Sequence, residues 1–99
     1  MTPLFAKVAN AALVIEQIIE RGHPGYFLYT FRQGSFASDT WHQSSEDAKH
    51  QADYEWPGVK IAWQAVPDTV KDLQAFGCRI SNWDTTRPTC ALPYCYMGI

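Results

Sequence analysis

The chain has 99 residues, 46% of them hydrophobic, and a formal net charge of −2. This length and composition predict one domain with its own hydrophobic core. The chain has 8 Lys and Arg and 10 Asp and Glu, so it has no excess of positive charge to attract phosphate groups. This balance disfavours a nucleic-acid partner. No apolar run approaches the roughly 20 residues of a membrane-spanning helix. We therefore expect a cytosolic protein without a membrane partner.

The first segment, residues 2–21, has the pattern of an amphipathic helix. Thr2 with Pro3 resembles a helix start, and Gly22 with Pro24 resembles a helix end. Between these signals, apolar residues recur at the spacing of one helical face. They are Leu4, Phe5, Val8, Ala11, Ala12, Ile15, Ile18 and Ile19. The pattern predicts a first helix that ends near Arg21.

Residues 26–42 are rich in aromatic and β-branched side chains and are interrupted by Gln33-Gly34, which predicts two strands joined by a tight hairpin. Counting back from this turn pairs Phe31 with Phe36 and places Tyr26 across from Trp41. The first of the two strands is apolar on both sides, which predicts a central position in the sheet.

A second helix follows the hairpin. Ser44 and Asp47 have the spacing of a capping box, and Pro57 with Gly58 ends the helix after about ten residues. Alternating residues 59–66 predict a third strand, and residues 69–76 a short helix that Gly77 ends.

These elements predict an α+β domain over residues 1–77, with an antiparallel sheet of about three strands. The order helix, strand, strand, helix, strand, helix favours the spatial strand order 2-1-3, because a right-handed return places the third strand beside the first. Residues 78–99 show no period and are predicted to be an irregular tail. The tail either wraps the domain, docks a second chain or is appended to the fold.

Four residues, two at the end of the hairpin and two in the second helix, suggest an acid–base pair or a metal site. Asp39 and His42 are three apart in a strand and so point to opposite faces, which suits a proton-transfer pair poorly. Glu46 and His50 share a helical face, and His42 near them would complete a two-His, one-carboxylate site. An exposed Glu-His contact is the simpler interpretation.

The cysteines and the known catalytic motifs point to no cofactor. Cys78, Cys90 and Cys95 are an odd number, which suits reduced thiols better than a disulfide framework. They would hold zinc only if they converged with a histidine, and the surrounding sequence does not predict this. No glycine-rich phosphate loop and no G-x-S-x-G motif is present. A catalytic role is therefore less favoured than a non-enzymatic one.

Charge is the clearest functional signal. Residues 39–55 hold five carboxylates and one cation, Lys49, so that the second helix is predicted to be an acidic surface. The candidate partner-binding residues are Trp41, Glu46, Asp47, Asp53 and Glu55. A small-ligand pocket would instead be lined by Tyr26, Tyr29, Phe31 and Trp41, although packing is the simpler role for Trp41.

Residues 22–66 resemble a pattern in small uncharacterised bacterial proteins. In that pattern a strand ending in Gly-Asp-Thr-Trp-His leads into a helix reading Glu-Asp-Ala…Gln-Ala…Glu. Here Ser38 replaces the glycine. The matching residues are Asp39, Thr40, Trp41, His42, Glu46, Asp47, Ala48, Gln51, Ala52 and Glu55. The resemblance implies a shared fold and no catalytic residues, and the predicted strand, strand, helix, strand order is also similar to HicB-type antitoxin domains, which bind a partner toxin.

The function predicted first is contact with another protein, as an immunity-like, antitoxin-like or adaptor protein, or pairing of edge strands in a homodimer. One alternative is a small metal-dependent enzyme or metal-binding protein that uses Asp39, His42, Glu46 and His50. The other is a small-ligand binder with an aromatic-lined pocket.

Overall fold

A computed structural model describes residues 2–9 and 11–81 of the chain. Their strands form one antiparallel sheet of order β4-β3-β2-β1-β5. The elements in chain order are β1 (Leu4–Val8), β2 (Ala11–Glu20), β3 (His23–Arg32), β4 (Ser35–His42), α1 (Ser45–Glu55), β5 (Gln64–Ala65) and α2 (Leu73–Ser81). The predicted sheet of about three strands in the order 2-1-3 is therefore wrong, although the fold contains both helices and strands.

The predicted first helix is wrong because residues 4–20 form β1 and β2 instead. Ala9, with a φ of 46°, follows Val8 and lies where the chain turns back, so that Val8 pairs with Ala11. β2 lies between β1 and β3, and its residues from Ala11 to Ile15 are all buried. A strand buried on both faces shows no alternation, and its apolar residues can match a helical spacing by chance.

Two hairpins of the same kind join β2 to β3 and β3 to β4. Arg21 and Gly22 have φ values of 53° and 79°, and Gln33 and Gly34 have 52° and 84°. Two consecutive residues with positive φ are typical of type I′ turns, whose twist matches that of paired strands. The second hairpin confirms the prediction at Gln33-Gly34. Glycine at position 22 was compatible with a helix end and with a hairpin, because both need a positive φ.

The β3–β4 pairing begins as predicted and then shifts. Phe31 pairs with Phe36, but the register changes directly beyond this pair and leaves Ala37 as an extra residue in a bulge. Trp41 consequently pairs with Phe27 rather than with the residue before it. β3 lies between β4 and β2, which confirms its predicted central position.

The two helices pack on opposite faces of the sheet. We call one side the α1 face, where Ala48 and Ala52 of α1 pack against a buried cluster. The sheet residues of that cluster are Val8, Ala11, Leu13, Ile15 and Leu28. The other side is the α2 face, where buried Ala12, Val14 and Phe31 lie against α2. Because neighbouring residues of β2 point to opposite sides, each helix covers alternate β2 positions.

The helix α1 confirms the prediction made from the capping box. The backbone N–H of Asp47 donates to Ser44 Oγ at 3.1 Å, which satisfies an amide that the helix itself leaves without a partner. The helix ends at Glu55, two residues before Pro57. Its small buried residues allow the helix axis to lie close to the sheet.

The segment after α1 differs from its prediction. In the predicted strand of residues 59–66, only Gln64–Ala65 pairs, and it pairs with β1. α2 begins four positions later than the predicted helix and has Asp72 at its N-terminus, where Oδ1 accepts the N–H of Ala75 at 3.1 Å. Residues 78–81 of the predicted tail lie in α2, and residues 82–99 lie outside the described residues. No helix of the described part has the length and apolarity that a membrane crossing requires.

Gly77 was predicted to end its helix but lies within α2. A Cβ built on Gly77 would overlap the ring of Phe31, which is fully buried. The glycine is therefore required by the contact between helix and sheet rather than by a turn.

We expect Gly77→Ala to destabilise the protein. Alanine would favour the helix by about 1 kcal/mol, but overpacking of a filled core costs about 1–3 kcal/mol. The free energy of unfolding, measured by urea denaturation, should fall despite the better helix propensity. Gln74→Ala, at an exposed position of the same helix, should change it by no more than about 0.5 kcal/mol. A gain in stability for Gly77→Ala would contradict this packing.

Candidate functional site

The β4 strand is the longer of the two sheet edges. β5, at the other edge, has two residues and is followed closely by Pro67. β4 has eight residues, most of them exposed, and carries a single charged side chain, Asp39. Beyond the bulge at Ala37, residues 38–42 form a regular strand whose outer side pairs with no strand of the described chain. Proteins often protect such edges with Lys, Pro or bulges, and here only the hairpin end has such a feature.

On the α2 face, β4 presents aromatic side chains to solvent. Trp41 is 54% exposed although its indole lies on the backbone of Gly25, where a Cβ would overlap it. Phe36 is 43% exposed. Between these two residues, on the same face, lies the exposed Asp39. This side of the edge therefore combines two aromatic groups with one carboxylate.

An aromatic row runs along the α2 face beside these residues; we define it as Phe27, Tyr29, Phe31 and Phe36. Phe27 and Tyr29 stack with ring centroids 5.8 Å apart and an interplanar angle of 7°. Phe36 lies edge-on to both Tyr29 and Phe31, with centroids 6.3 and 5.8 Å apart. Phe31 is the one member that is fully buried. The other three are partly accessible in the described structure.

Tyr29 is the row's polar member. Its hydroxyl donates to Glu16 Oε1 of β2 at 2.9 Å. Burial, this hydrogen bond and the charges of Glu16 and Asp39 raise the pKa of Tyr29 to about 12. All of these effects favour the protonated phenol, since ionisation would remove the donated proton and add a negative charge near two carboxylates.

On the α1 face, the edge is bordered by α1. His42 shares a hydrogen bond with Thr40, with 2.7 Å between Nε2 and Oγ1. Four carboxylates of α1 point to solvent, at Glu46, Asp47, Asp53 and Glu55. Lys49, the only cation of the helix, lies 3.6 Å from Glu46. The helix thus presents the acidic surface that its composition predicts.

The structure does not bring the metal or acid–base candidates together. His42 pairs with Tyr26 on the α1 face, whereas Asp39 pairs with Tyr29 on the α2 face. His50 is exposed on α1. Within the described ranges, no three His, Cys, Asp or Glu residues are grouped as a metal ion requires. Of the cysteines, Cys78 lies within α2, partly buried against the sheet, and the other two lie outside the described residues.

The other candidate sets are also divided between the faces. Of the pocket residues, Tyr26 lies on the α1 face, where its hydroxyl accepts a hydrogen bond from Gln17 Nε2 at 3.2 Å. Tyr29 and Trp41 lie on the α2 face, and Phe31 has no exposed surface with which to line a pocket. Trp41 therefore lies on the side of the sheet opposite the acidic helix surface.

Sequence reasoning missed several residues that the structure places on the α2 face beside the aromatic row. Phe27 lies against Trp41 because of the bulge, and Glu16 and Ile18 were assigned to a helix. The alternation of Phe27, Tyr29 and Phe31 in the sequence is the signal that marks one face of β3. The bulge itself has no signal in the sequence.

Comparison of the chain with protein-family models, with curated proteins and with solved structures finds no match in any of the three. The resemblances to small bacterial proteins and to HicB-type antitoxin domains therefore have no support beyond the residues and the predicted element order that suggested them.

The Tyr29 hydroxyl should titrate later than an ordinary tyrosine. Its folded-state pKa of about 12 lies above the ordinary 10.0. Tyr29 therefore contributes its full stabilisation below pH 10, and this contribution is lost as the pH rises through 12. Residue-specific NMR titration of Tyr29 should give a midpoint well above the ordinary 10.0.

The Glu16→Gln variant separates the causes of this shift. Because burial is the largest cause, the pKa of Tyr29 should move only part of the way back toward 10.0. An unchanged Tyr29 titration in Glu16→Gln, or a Tyr29 midpoint near 10.0 in the unsubstituted chain, would refute the Glu16–Tyr29 contact.

Proposed function

We propose that this chain is a non-enzymatic, cytosolic protein that binds another protein by strand addition at residues 38–42 of β4. The observation that carries the proposal is the regular outer side of this strand, which pairs with no strand of the described chain. An extended segment of a partner would continue the antiparallel sheet there. An adaptor, antitoxin-like or immunity-like role would each be compatible with such a contact.

Strand addition requires accessible backbone groups and side chains that tolerate a neighbour. Both conditions favour β4 over β5, because most residues of β4 are exposed and its edge beyond Ala37 is free of Lys and Pro. In this binding mode the backbone hydrogen bonds supply affinity, and the alternate side chains of the partner supply specificity. The partner's side chains would lie beside Asp39 and Trp41 on one face, and beside Thr40 and His42 on the other.

The charges around the edge favour a basic partner segment. Carboxylates lie on both sides of the strand, with Asp39 on the α2 face and the exposed acidic surface of α1 on the other. Such a field increases the rate of encounter with a cationic segment and weakens as salt is added.

A second copy of the chain fits these charges less well. Antiparallel pairing of two β4 edges would place both α1 helices on the same side of the joined sheet, because the symmetry axis would be perpendicular to it. The two acidic surfaces would then repel each other. The proposal is therefore a different, basic protein rather than a homodimer.

The partner can be identified and the edge tested with one set of variants. We would purify the chain from its source, determine bound masses by native mass spectrometry, and measure the dissociation constant of the partner found. Asp39→Lys places a cation on the proposed edge and should weaken the complex at least tenfold. Glu20→Lys makes the same charge change at an exposed position on the same face, at the β2–β3 hairpin, and should weaken it much less.

Circular dichroism would verify that both variants fold. Equal weakening by Asp39→Lys and Glu20→Lys would show attraction by net charge without strand addition. A monomer that binds no protein, or a complex insensitive to both variants, would also refute the proposal. A mass of two copies that Asp39→Lys dissociates would identify the homodimer instead.

A further inference from the structure

α2 covers only part of the α2 face of the sheet. Ala12, Val14 and Phe31 lie beneath the helix and are fully buried. Farther along the same strands, toward the β2–β3 hairpin, Ile18 and Phe27 are only partly buried. By strand pairing, Phe27 lies beside Trp41, and Ile18 lies beside Gly25, over which the Trp41 indole folds. The described residues thus leave an apolar surface that continues directly from the core.

We define this uncovered surface as Ile18, Phe27, Tyr29, Phe36 and Trp41. Its members adjoin one another through the Phe27–Tyr29 stack, the Tyr29–Phe36 contact and the strand pairs. Isolated exposed apolar residues are common on proteins, but a contiguous apolar surface usually has an occupant. Glu16 and Asp39 lie on either side of the surface, so that an apolar occupant that brings a cation near them is favoured.

The chain leaves the described structure at one end of this surface. The N–H of Gly34, in the β3–β4 turn, donates to Ser81 Oγ at 3.0 Å. Ser81 in turn donates to the carbonyl of Cys78 at 3.0 Å, within the last turn of α2. The bond from Gly34 therefore joins this last turn to the hairpin. The described chain therefore ends, at Ser81, beside the turn that precedes Phe36, the nearest member of the uncovered surface.

The segment of residues 82–99 has the reach and the composition of the expected occupant. At about 3.3 Å per residue it extends to at most about 60 Å, whereas β3 from Phe31 to Gly25 spans about 20 Å. Its charged side chains are Asp84 and Arg87. Its large apolar and aromatic residues are Trp83, Leu92, Tyr94, Tyr96, Met97 and Ile99. Arg87 supplies a cation for Glu16 and Asp39, and Asp84 brings the formal side-chain charge of the segment to zero.

We propose that residues 82–99 turn back from the β3–β4 hairpin and pack on the uncovered surface, as the missing half of the layer that α2 begins. This assignment goes beyond the proposed function and does not depend on it. The segment would cover the aromatic side chains of the α2 face and leave the outer backbone of β4 open. The edge would then bind a partner without exposing the aromatic row.

The two neighbouring isoleucines at the end of β2 provide a matched test. Ile18 lies on the α2 face, within the uncovered surface, and Ile19 lies on the α1 face and is 67% exposed. In the full-length chain we would make Ile18→Cys and Ile19→Cys separately, treat each with a short bis-maleimide, and digest with trypsin. Mass spectrometry would then quantify links to the peptide that contains the native Cys90 and Cys95.

In the monomer fraction, the thiol at position 18 should link to this peptide at least fivefold more than the thiol at position 19. Equal yields from both positions, or no link from position 18, would overturn the proposal. Links found only in the dimer fraction would show that a second copy provides the segment, which would also overturn it.

A second experiment uses the unsubstituted chain, so that its result is independent of the cysteines introduced at positions 18 and 19. Hydroxyl-radical footprinting should modify Trp41 and Phe36 much less than their exposed fractions of 54% and 43% imply, with the 81% exposed Tyr54 as the reference. Modification of Trp41 and Phe36 in proportion to these fractions would show an open surface and refute the proposal. Neither outcome depends on whether β4 binds a partner.

Discussion

The structure depends on β2, because this strand is buried on both faces and has neighbours on both sides. Its residues from Ala11 to Ile15 have no appreciable exposed surface, and they contribute alternately to the cluster beneath α1 and the cluster beneath α2. Each helix therefore removes a different set of β2 side chains from water. Loss of either helix would expose one complete face of the strand, so the sheet and both helices support one another.

The two helices achieve close contact with the sheet through small residues. On α1 the buried positions are Ala48 and Ala52, and on α2 the close approach occurs at Gly77 against Phe31. A missing or minimal side chain lets the helix backbone approach large residues of the strands without a cavity. For this reason a glycine that is unfavourable for an isolated helix is favourable at this position in the folded protein.

The asymmetry of the sheet edges determines where a partner is able to bind. β5 is too short for extended pairing, whereas β4 is regular from Ser38 to His42. The bulge at Ala37 has two effects on the β4 edge. It separates the regular part of the edge from the hairpin, and it moves Trp41 to the face of the aromatic row. A single extra residue thus places the tryptophan opposite the acidic helix rather than beside it.

The sequence by itself determined the elements whose signals are local. The β3–β4 turn follows from Gln33-Gly34, and the start of α1 follows from Ser44 and Asp47, because turn and cap conformations depend on a few adjacent residues. The acidic character of α1 follows from its composition, and the central position of β3 follows from the apolar residues on both of its sides.

Tertiary structure alone decided that residues 4–20 form strands rather than a helix. It also decided the register of β4 and the role of Gly77. An apolar run buried on two sides has no period that separates a strand from a helix, and Gly22 permits either ending. The bulge and the Gly77–Phe31 contact arise between segments distant in the chain, where local sequence carries no information. The division of the candidate site residues between two faces follows from that register, since each one-residue shift in pairing exchanges the sides of the sheet.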